Sequence, residues 1–248
     1  MSKKAWKQFY ALTKESLSEA RSLASTMIGC DPSSPDGYRL FSLVILHYVQ
    51  MGFAEQPEQE IDKARQSIQT AVRLDENNEH THWGLAMLYG YFDGKFVEAE
   101  AAAKRSIEIN PNFSLGYGLY GTMLAYAGRV EESISKTQYA IRLNPRDPSI
   151  FFRFSALSVA NFLLSDFELA RKWAQLAVER KPDWWISRAI LTASLMLLGR
   201  TEEAVESGNE LIRILPKISL QTLPIEPVRP APAKRMFYEA LSNAGIPD

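Results

Sequence analysis

The chain has 248 residues, 46% hydrophobic and 23% charged, long enough for a fold that buries roughly 70% of its unfolded surface. Lys plus Arg number 28 and Asp plus Glu 29, for a net charge of −1, which lacks the basic excess of a dedicated nucleic-acid binder or a polybasic membrane anchor. A single cysteine, Cys30, excludes an intramolecular disulfide and fits a reducing, cytoplasmic compartment.

The first 20 residues carry a charged or polar residue every few positions, without the apolar core of a signal peptide. The longest apolar run, 41–53, is interrupted by His47 and Gln50 and is too short to span a bilayer. Apolar periodicity predicts helices over 3–11, 14–28, 35–51, 58–73, 79–92, 95–109, 114–127, 130–143, 148–164, 167–180, 184–198 and 201–214. No segment alternates like a strand. Residues 222–232 hold Pro224, Pro227, Pro230 and Pro232, which exclude a regular helix or central strand. A short amphipathic helix follows over 233–244, with Met236, Phe237, Ala240 and Leu241 on one face.

Three markers recur along the helices. Similar strings end at positions 32, 76, 111, 145, 182 and 216, separated by 44, 35, 34, 37 and 34 residues. Twelve residues before each end stands a small residue: Ala20, Ala64, Ala99, Ser133, Ala170 and Ala204. A small side chain lets two helices approach closely. Upstream, each full unit repeats a bulky residue, a second bulky residue three positions on, then a small residue, then a usually apolar one. The instances are Tyr38-Phe41-Ser42-Ile45, His82-Leu85-Ala86-Tyr89, Tyr117-Tyr120-Gly121-Leu124, Phe151-Phe154-Ser155-Ser158 and Arg188-Leu191-Thr192-Leu195. Gly128 and Gly199 stand at the turns of two units. The excess of ten in the first spacing falls in the Gly52–Pro57 loop, and the spacing of 37 implies a longer first helix or turn between Pro148 and Asp166.

This period and these markers resemble the tetratricopeptide repeat (TPR), a helix-turn-helix unit. The resemblance covers residues 14–216 and implies an all-α, right-handed TPR superhelix of antiparallel helix pairs, about five and a half repeats, with a partial first unit. Two regions are expected: a TPR solenoid over 1–221, and a Pro-rich connector with a C-terminal capping helix over 222–248. In such a stack the first helix of each pair lines a concave groove. The repeat frame then gives as groove candidates Arg39, Leu43 and His47; Trp83, Met87 and Tyr91; Thr122 and Tyr126; Phe152, Arg153 and Ala156; and Ala189, Ala193 and Met196. Aromatic, Met and Arg side chains are the types enriched at protein interfaces. The alternative is that they pack against neighbouring helices or the cap.

Chaperone-binding TPR proteins hold a peptide carboxylate with Lys, Arg and Asn, but the matching positions here are mostly apolar or small. An apolar helix or extended peptide suits the groove better. His80 and His82 point about 200° apart on a helix, which disfavours a shared metal, and His82 falls on the bulky packing position. No glycine-rich phosphate loop, GxSxG, HExxH or paired CxxC occurs. Cys30 sits at a helix C-terminal end, where a thiolate is not favoured. Glu131-Glu132 and Glu202-Glu203 lie in first turns, where carboxylates complement the helix dipole. Lys104-Arg105 and Arg171-Lys172 read as solvated charge. The Pro-x-x-Pro spacing resembles ligands of aromatic-grooved domains, with a stiff connector to the cap as the simpler reading.

Ala5-Trp6, LTKESLSEAR, CDPSSPDGY, RLDENNEHTHW, INPNFSLGYG, LNPRDP, KPDWW and the final Asn243-Ala244-Gly245-Ile246-Pro247-Asp248 carry a narrower resemblance. They are similar to the C-terminal TPR region of bacterial class III adenylate or guanylate cyclases and of some winged-helix regulators. That resemblance implies a sensing or partner-binding module with no chemistry of its own. The sequence reading is therefore a non-enzymatic interaction module that takes a peptide or helix of a protein partner, without metal, cofactor, nucleic acid or membrane. A regulatory appendage of a cyclase or DNA-binding system, a homodimeric assembly module and a small-molecule or lipid binder are the alternatives. A tail that filled the groove would make binding autoinhibited.

Overall fold

The computed structural model describes residues 1–248, which form thirteen α-helices and no strand. In chain order these are α1 (Ser2–Ala11), α2 (Lys14–Cys30), α3 (Pro35–Gln50), α4 (Pro57–Leu74), α5 (Glu79–Met87), α6 (Phe96–Ile109) and α7 (Ser114–Tyr126). They continue as α8 (Val130–Leu143), α9 (Phe151–Leu163), α10 (Phe167–Arg180), α11 (Trp185–Leu197), α12 (Thr201–Ile214) and α13 (Ala231–Asn243). A π-helical segment, Leu88–Phe92, extends α5.

The fold begins with the turns. Six first helices reverse into six second helices, and every reversal passes through one residue with positive φ. Glycine supplies it four times, at Gly52, Gly94, Gly128 and Gly199; Leu12 (φ 52) and Ser165 (φ 60) supply it in the other two. Glycine adopts this left-handed backbone without a Cβ penalty. Capping fixes several helix starts: Thr13 accepts from the Ser16 amide, Asn78 from those of His80 and Thr81, and Asp166 from that of Leu169. Glu132 and Glu203, in the first turns of α8 and α12, also pair with Arg129 and Arg200.

The small residues of the second helices are where the helices meet. Ala20, Ala64, Ala99, Ser133, Ala170 and Ala204 are all 0% exposed. At Gly121 a Cβ would collide with Thr137 Oγ1 and lie 3.0 Å from the Ser133 carbonyl oxygen. Close packing there depends on the absent side chain.

The excess in the spacing of 44 is not confined to the Gly52–Pro57 loop, because α3 and α4 span 16 and 18 residues against 13 and 14 for α7 and α8; the spacings of 35 and 37 have other causes. Twelve residues separate His82 from Gly94, whereas eleven separate Tyr117 from Gly128 and Arg188 from Gly199. A π turn holds one more residue than an α turn, and the extra one is taken up in Leu88–Phe92. The excess of the fifth unit lies before its helix, since α9 starts at Phe151 and not at 148. Phe154, not Phe151, is therefore the fourth residue of its helix, as Tyr117 is of α7 and Arg188 of α11. Ser158 takes the small-residue position. The expected frame of this unit is shifted by three residues, because Asp147, Pro148 and Ser149 form an added turn.

Residues Met1–Gly116 and Tyr117–Asp248 form two compact units, with the division inside α7. In the first, α2 packs on α1 and α3, α4 on α3 and α5, and α6 on α5. In the second, α9 packs on α8 and α10, α11 on α10 and α12, and α13 on α11. Phe237, Leu241 and Ala244 of the C-terminal segment are buried, and the Ala244 carbonyl lies against Gly208 of α12. The C-terminal helix thus covers the apolar side that the last pair would otherwise expose.

Candidate interaction surfaces

In the first unit the first helices α1, α3 and α5 lie side by side. Leu12 is the turn residue of the α1–α2 pair, so Trp6 and Tyr10, six and two residues before it, occupy the frame positions that Thr122 and Tyr126 hold before Gly128 in α7. Their rings reach across α3 to α5. Trp6 is 5.0 Å from the His80 ring, and the Tyr10 hydroxyl is 3.3 Å from His80 Nε2. Beneath them Phe9, His47 and Trp83 are buried, with His47 at 5.0 Å from Phe9 and 5.4 Å from Trp83. Phe113 closes the cluster at 4.7 Å from His80.

Both histidines are neutral in this apolar setting. Burial pulls His47 down to about 4, and its Nδ1–H donates to the Leu43 carbonyl at 2.9 Å. Burial also pulls His80 down to about 4, reinforced by Arg39 and opposed by Glu79. His82 turns elsewhere, its Nε2 lying 2.8 Å from the Glu76 carbonyl oxygen. The two histidines of the HxH string serve separate packing roles, and no three His, Cys, Asp or Glu side chains gather in a metal-holding group.

Arg39 is buried and bridges three segments: Nε donates to Thr81 Oγ1 at 3.0 Å, Nη1 to Asp36 at 2.7 Å and Nη2 to Asp75 at 3.1 Å. Met87 is buried, and Tyr91 is half-buried in the π segment. Asp93, just beyond that segment, receives both terminal nitrogens of Arg65 at 2.7 and 2.8 Å. Of the groove candidates in this unit, Arg39, His47, Trp83 and Met87 therefore make intramolecular contacts, and Tyr91 keeps partial exposure.

In the second unit Arg153 is buried in the first turn of α9. It donates to the Ser149 carbonyl at 2.9 Å and pairs with Asp147. Burial alone would raise the Asp147 carboxyl, but the Arg153 charge and bonds from Ser149 hold it below the usual range. Burial lowers Arg153 against the attraction of Asp147. Phe152, half-buried, packs against Trp184 at 5.0 Å, whose Nε1–H donates to Ser155 Oγ at 3.0 Å. Both candidates stand three residues earlier in the frame than expected, and Ser155 and Val159 take the positions assigned to Phe152 and Ala156. Met196 and Thr122 are half-buried.

Tyr126 is covered by the chain's own tail. The Arg229 guanidinium carbon lies 4.9 Å from the centre of the Tyr126 ring. Burial pushes the Tyr126 hydroxyl up to about 12, against the lowering effect of Arg229. Phe237 of α13 meets Phe162 of α9 edge-on at 5.8 Å. Trp6, Tyr10 and His80 were not on the sequence-derived surface. The signal for the first two was Leu12, a non-glycine turn residue that hides the true frame of α1.

No protein-family profile and no curated protein matches the chain, whereas solved structures do. Cut9, from the APC/C hetero-tetramer Cut9–Hcn1, aligns over 86% of this chain and 39% of its own, with TM-score 0.69 and 17% identity. The human IFIT1 dimer with m7Gppp-AAAA aligns over 81% of this chain and 46% of its own, at 0.67 and 15%. Pseudomonas aeruginosa PilF aligns over 86% of this chain and 91% of its own, at 0.55 and 16%. The chain thus spans about two fifths of Cut9's length. At these identities the likeness establishes the fold, and that fold is the TPR array of antiparallel helix pairs. No helix is long and apolar enough to cross a membrane.

Proposed function

We propose that the chain is a non-enzymatic protein-interaction module that takes a peptide or helix of a partner along the inner sides of its first helices. The observation that supports this most directly is the Trp6–Tyr10–His80 cluster: three partly exposed rings from α1 and α5 that meet across α3 over a buried base. Amphipathic rings fixed by packing lose little entropy on binding and are common interface anchors. Tyr91, Met196 and Phe152 are the groove candidates that retain exposure for such contacts; the buried candidates support them from below.

The test is a quantitative pull-down from source lysate with the wild-type chain and a Tyr10→Ala/Tyr91→Ala variant of unchanged helicity. A partner lost with the variant supports the module; identical capture by both baits removes these surfaces from the reading. The narrower cyclase or winged-helix resemblance supports reading such a module as a regulatory region in bacterial, cytoplasmic signal transduction. Its strings, among them RLDENNEHTHW and KPDWW, are what favour this context. A homodimer is the remaining form of the same reading, distinguished by light scattering at two concentrations.

A further inference from the structure

The connector between α12 and α13 forms no helix, yet several of its side chains are buried against the body. Ile225, Pro227 and Val228 are buried, and Arg229 covers the Tyr126 ring. Glu226 accepts from the Tyr238 hydroxyl at 3.2 Å and pairs with Lys234 at 2.6 Å, and its charge also acts on the Tyr126 hydroxyl. No main-chain hydrogen bond joins residues 223–228 to the helices. The segment is held by side chains alone, and elements held in this way open at lower free energy than those in a hydrogen-bonded ladder. The cap beyond it is independently anchored, through Phe237 on Phe162, Ala244 against Gly208, and the Leu220 amide donating to the Pro247 carbonyl at 2.8 Å.

We propose that the surface around Tyr126 is a seat for an extended, proline-containing segment bearing an arginine, and that residues 224–230 occupy it as a tethered stand-in for such a segment of a partner protein. Three features define the occupant. It needs an aliphatic side chain four residues before the arginine, as Ile225 provides. It needs a second aliphatic next to the arginine, as Val228 provides. Prolines between and after them hold the backbone extended and reduce the entropy lost on seating. The arginine lies over a tyrosine face, where guanidinium is favoured over ammonium. A partner segment with this chemistry must displace the connector, so the tether weakens binding in proportion to its own occupancy. This inference rests on the module reading above and names a ligand class and a control for it.

The probe is a fluorescent peptide of residues 222–232, TLPIEPVRPAP, compared with the same peptide carrying alanine for arginine. The protein is the full chain as wild type, as Arg229→Ala, and as Ile225→Asp/Val228→Asp/Arg229→Ala, which vacates the seat and leaves α13 intact. Thermal unfolding verifies the fold of each. We expect the triple variant to bind the arginine peptide at least tenfold tighter than wild type, Arg229→Ala to bind it about threefold tighter, and both to prefer it at least tenfold over the alanine peptide. If neither folded variant binds more tightly than wild type, or the two peptides bind alike, the proposal is overturned. Retention of a captured partner in that case leaves the module reading standing, because that partner depends on Tyr10 and Tyr91. Exchange of the segment between two copies, seen as a wild-type dimer by light scattering, would replace the foreign occupant and also overturn the proposal.

Discussion

In the first unit, the rings over His47 and Trp83 come from α1, a regular helix whose amides are bonded within itself. In the second, the cover over Tyr126 comes from residues 223–229, whose hold on the body is made by side chains. The same repeat frame thus carries a rigid cover at one place and a displaceable one at the other. Both units bury an arginine held by carboxylates, Arg39 by Asp36 and Asp75 in the first and Arg153 by Asp147 in the second, and the first adds two neutral histidines among aromatic rings. Exposure of an inner surface is therefore set by what crosses it and by how that segment satisfies its own backbone.

If α13 anchors the second unit independently of the connector, Phe237→Ala will have the largest effect. Loss of a fully buried phenylalanine costs about 3–5 kcal/mol, and hydrogen exchange should show the loss in α9, α11 and α13 while amides of α2–α4 keep their protection. Uniform loss along the chain would mean that the two units unfold as one.

Acid should act on the other unit. His47 and His80 ionise near 4 in the fold and near 6.5 when unfolded, so the unfolded chain binds more protons between those values. Their contribution is complete above about pH 6.5 and is lost as pH falls toward 4. A shift from 6.5 to about 4 corresponds to about 3 kcal/mol at most for His47, and to less for His80, whose side chain is 21% exposed. Urea midpoints at pH 7 and pH 4.5 should differ accordingly, and a His47→Gln/His80→Gln variant should show a flatter dependence. An equal slope in the variant would assign the acid sensitivity to carboxylates such as Asp147.

The smallest effect has the opposite sign. Ser165 takes the turn position that glycine holds in four other pairs, at φ 60, where a Cβ is disfavoured by about 1 kcal/mol. Ser165→Gly should raise the melting temperature by a few degrees, less any gain in unfolded-chain entropy. No rise would mean that the serine conformation is compensated locally.

Ser165 also shows where the sequence stopped being legible. Helix limits were readable to within a residue or two for most elements, because small residues at a fixed offset and glycines at turns state the packing directly. The frame of the fifth unit was not, since three phenylalanines within four residues, Phe151, Phe152 and Phe154, match the pattern in more than one register and the turn lacks its glycine. Leu12 hid the repeat frame of α1, though not the helix itself, for the same reason. The aromatic and arginine stripes were legible as a face, but whether that face meets solvent was not. Burial of Tyr126 depends on Arg229, more than a hundred residues away in the chain, and no local period encodes that contact.

The π segment of α5 has a consequence for how such a chain changes length. A single codon inserted into most helices would rotate every later side chain by about 100° and bury the wrong face. At Leu88–Phe92 the additional residue is contained within one widened turn, so that Asp93 still reaches Arg65 and Gly94 still begins the next reversal. The unit holds one residue more than the two units of 34 without passing the change in register to its neighbours.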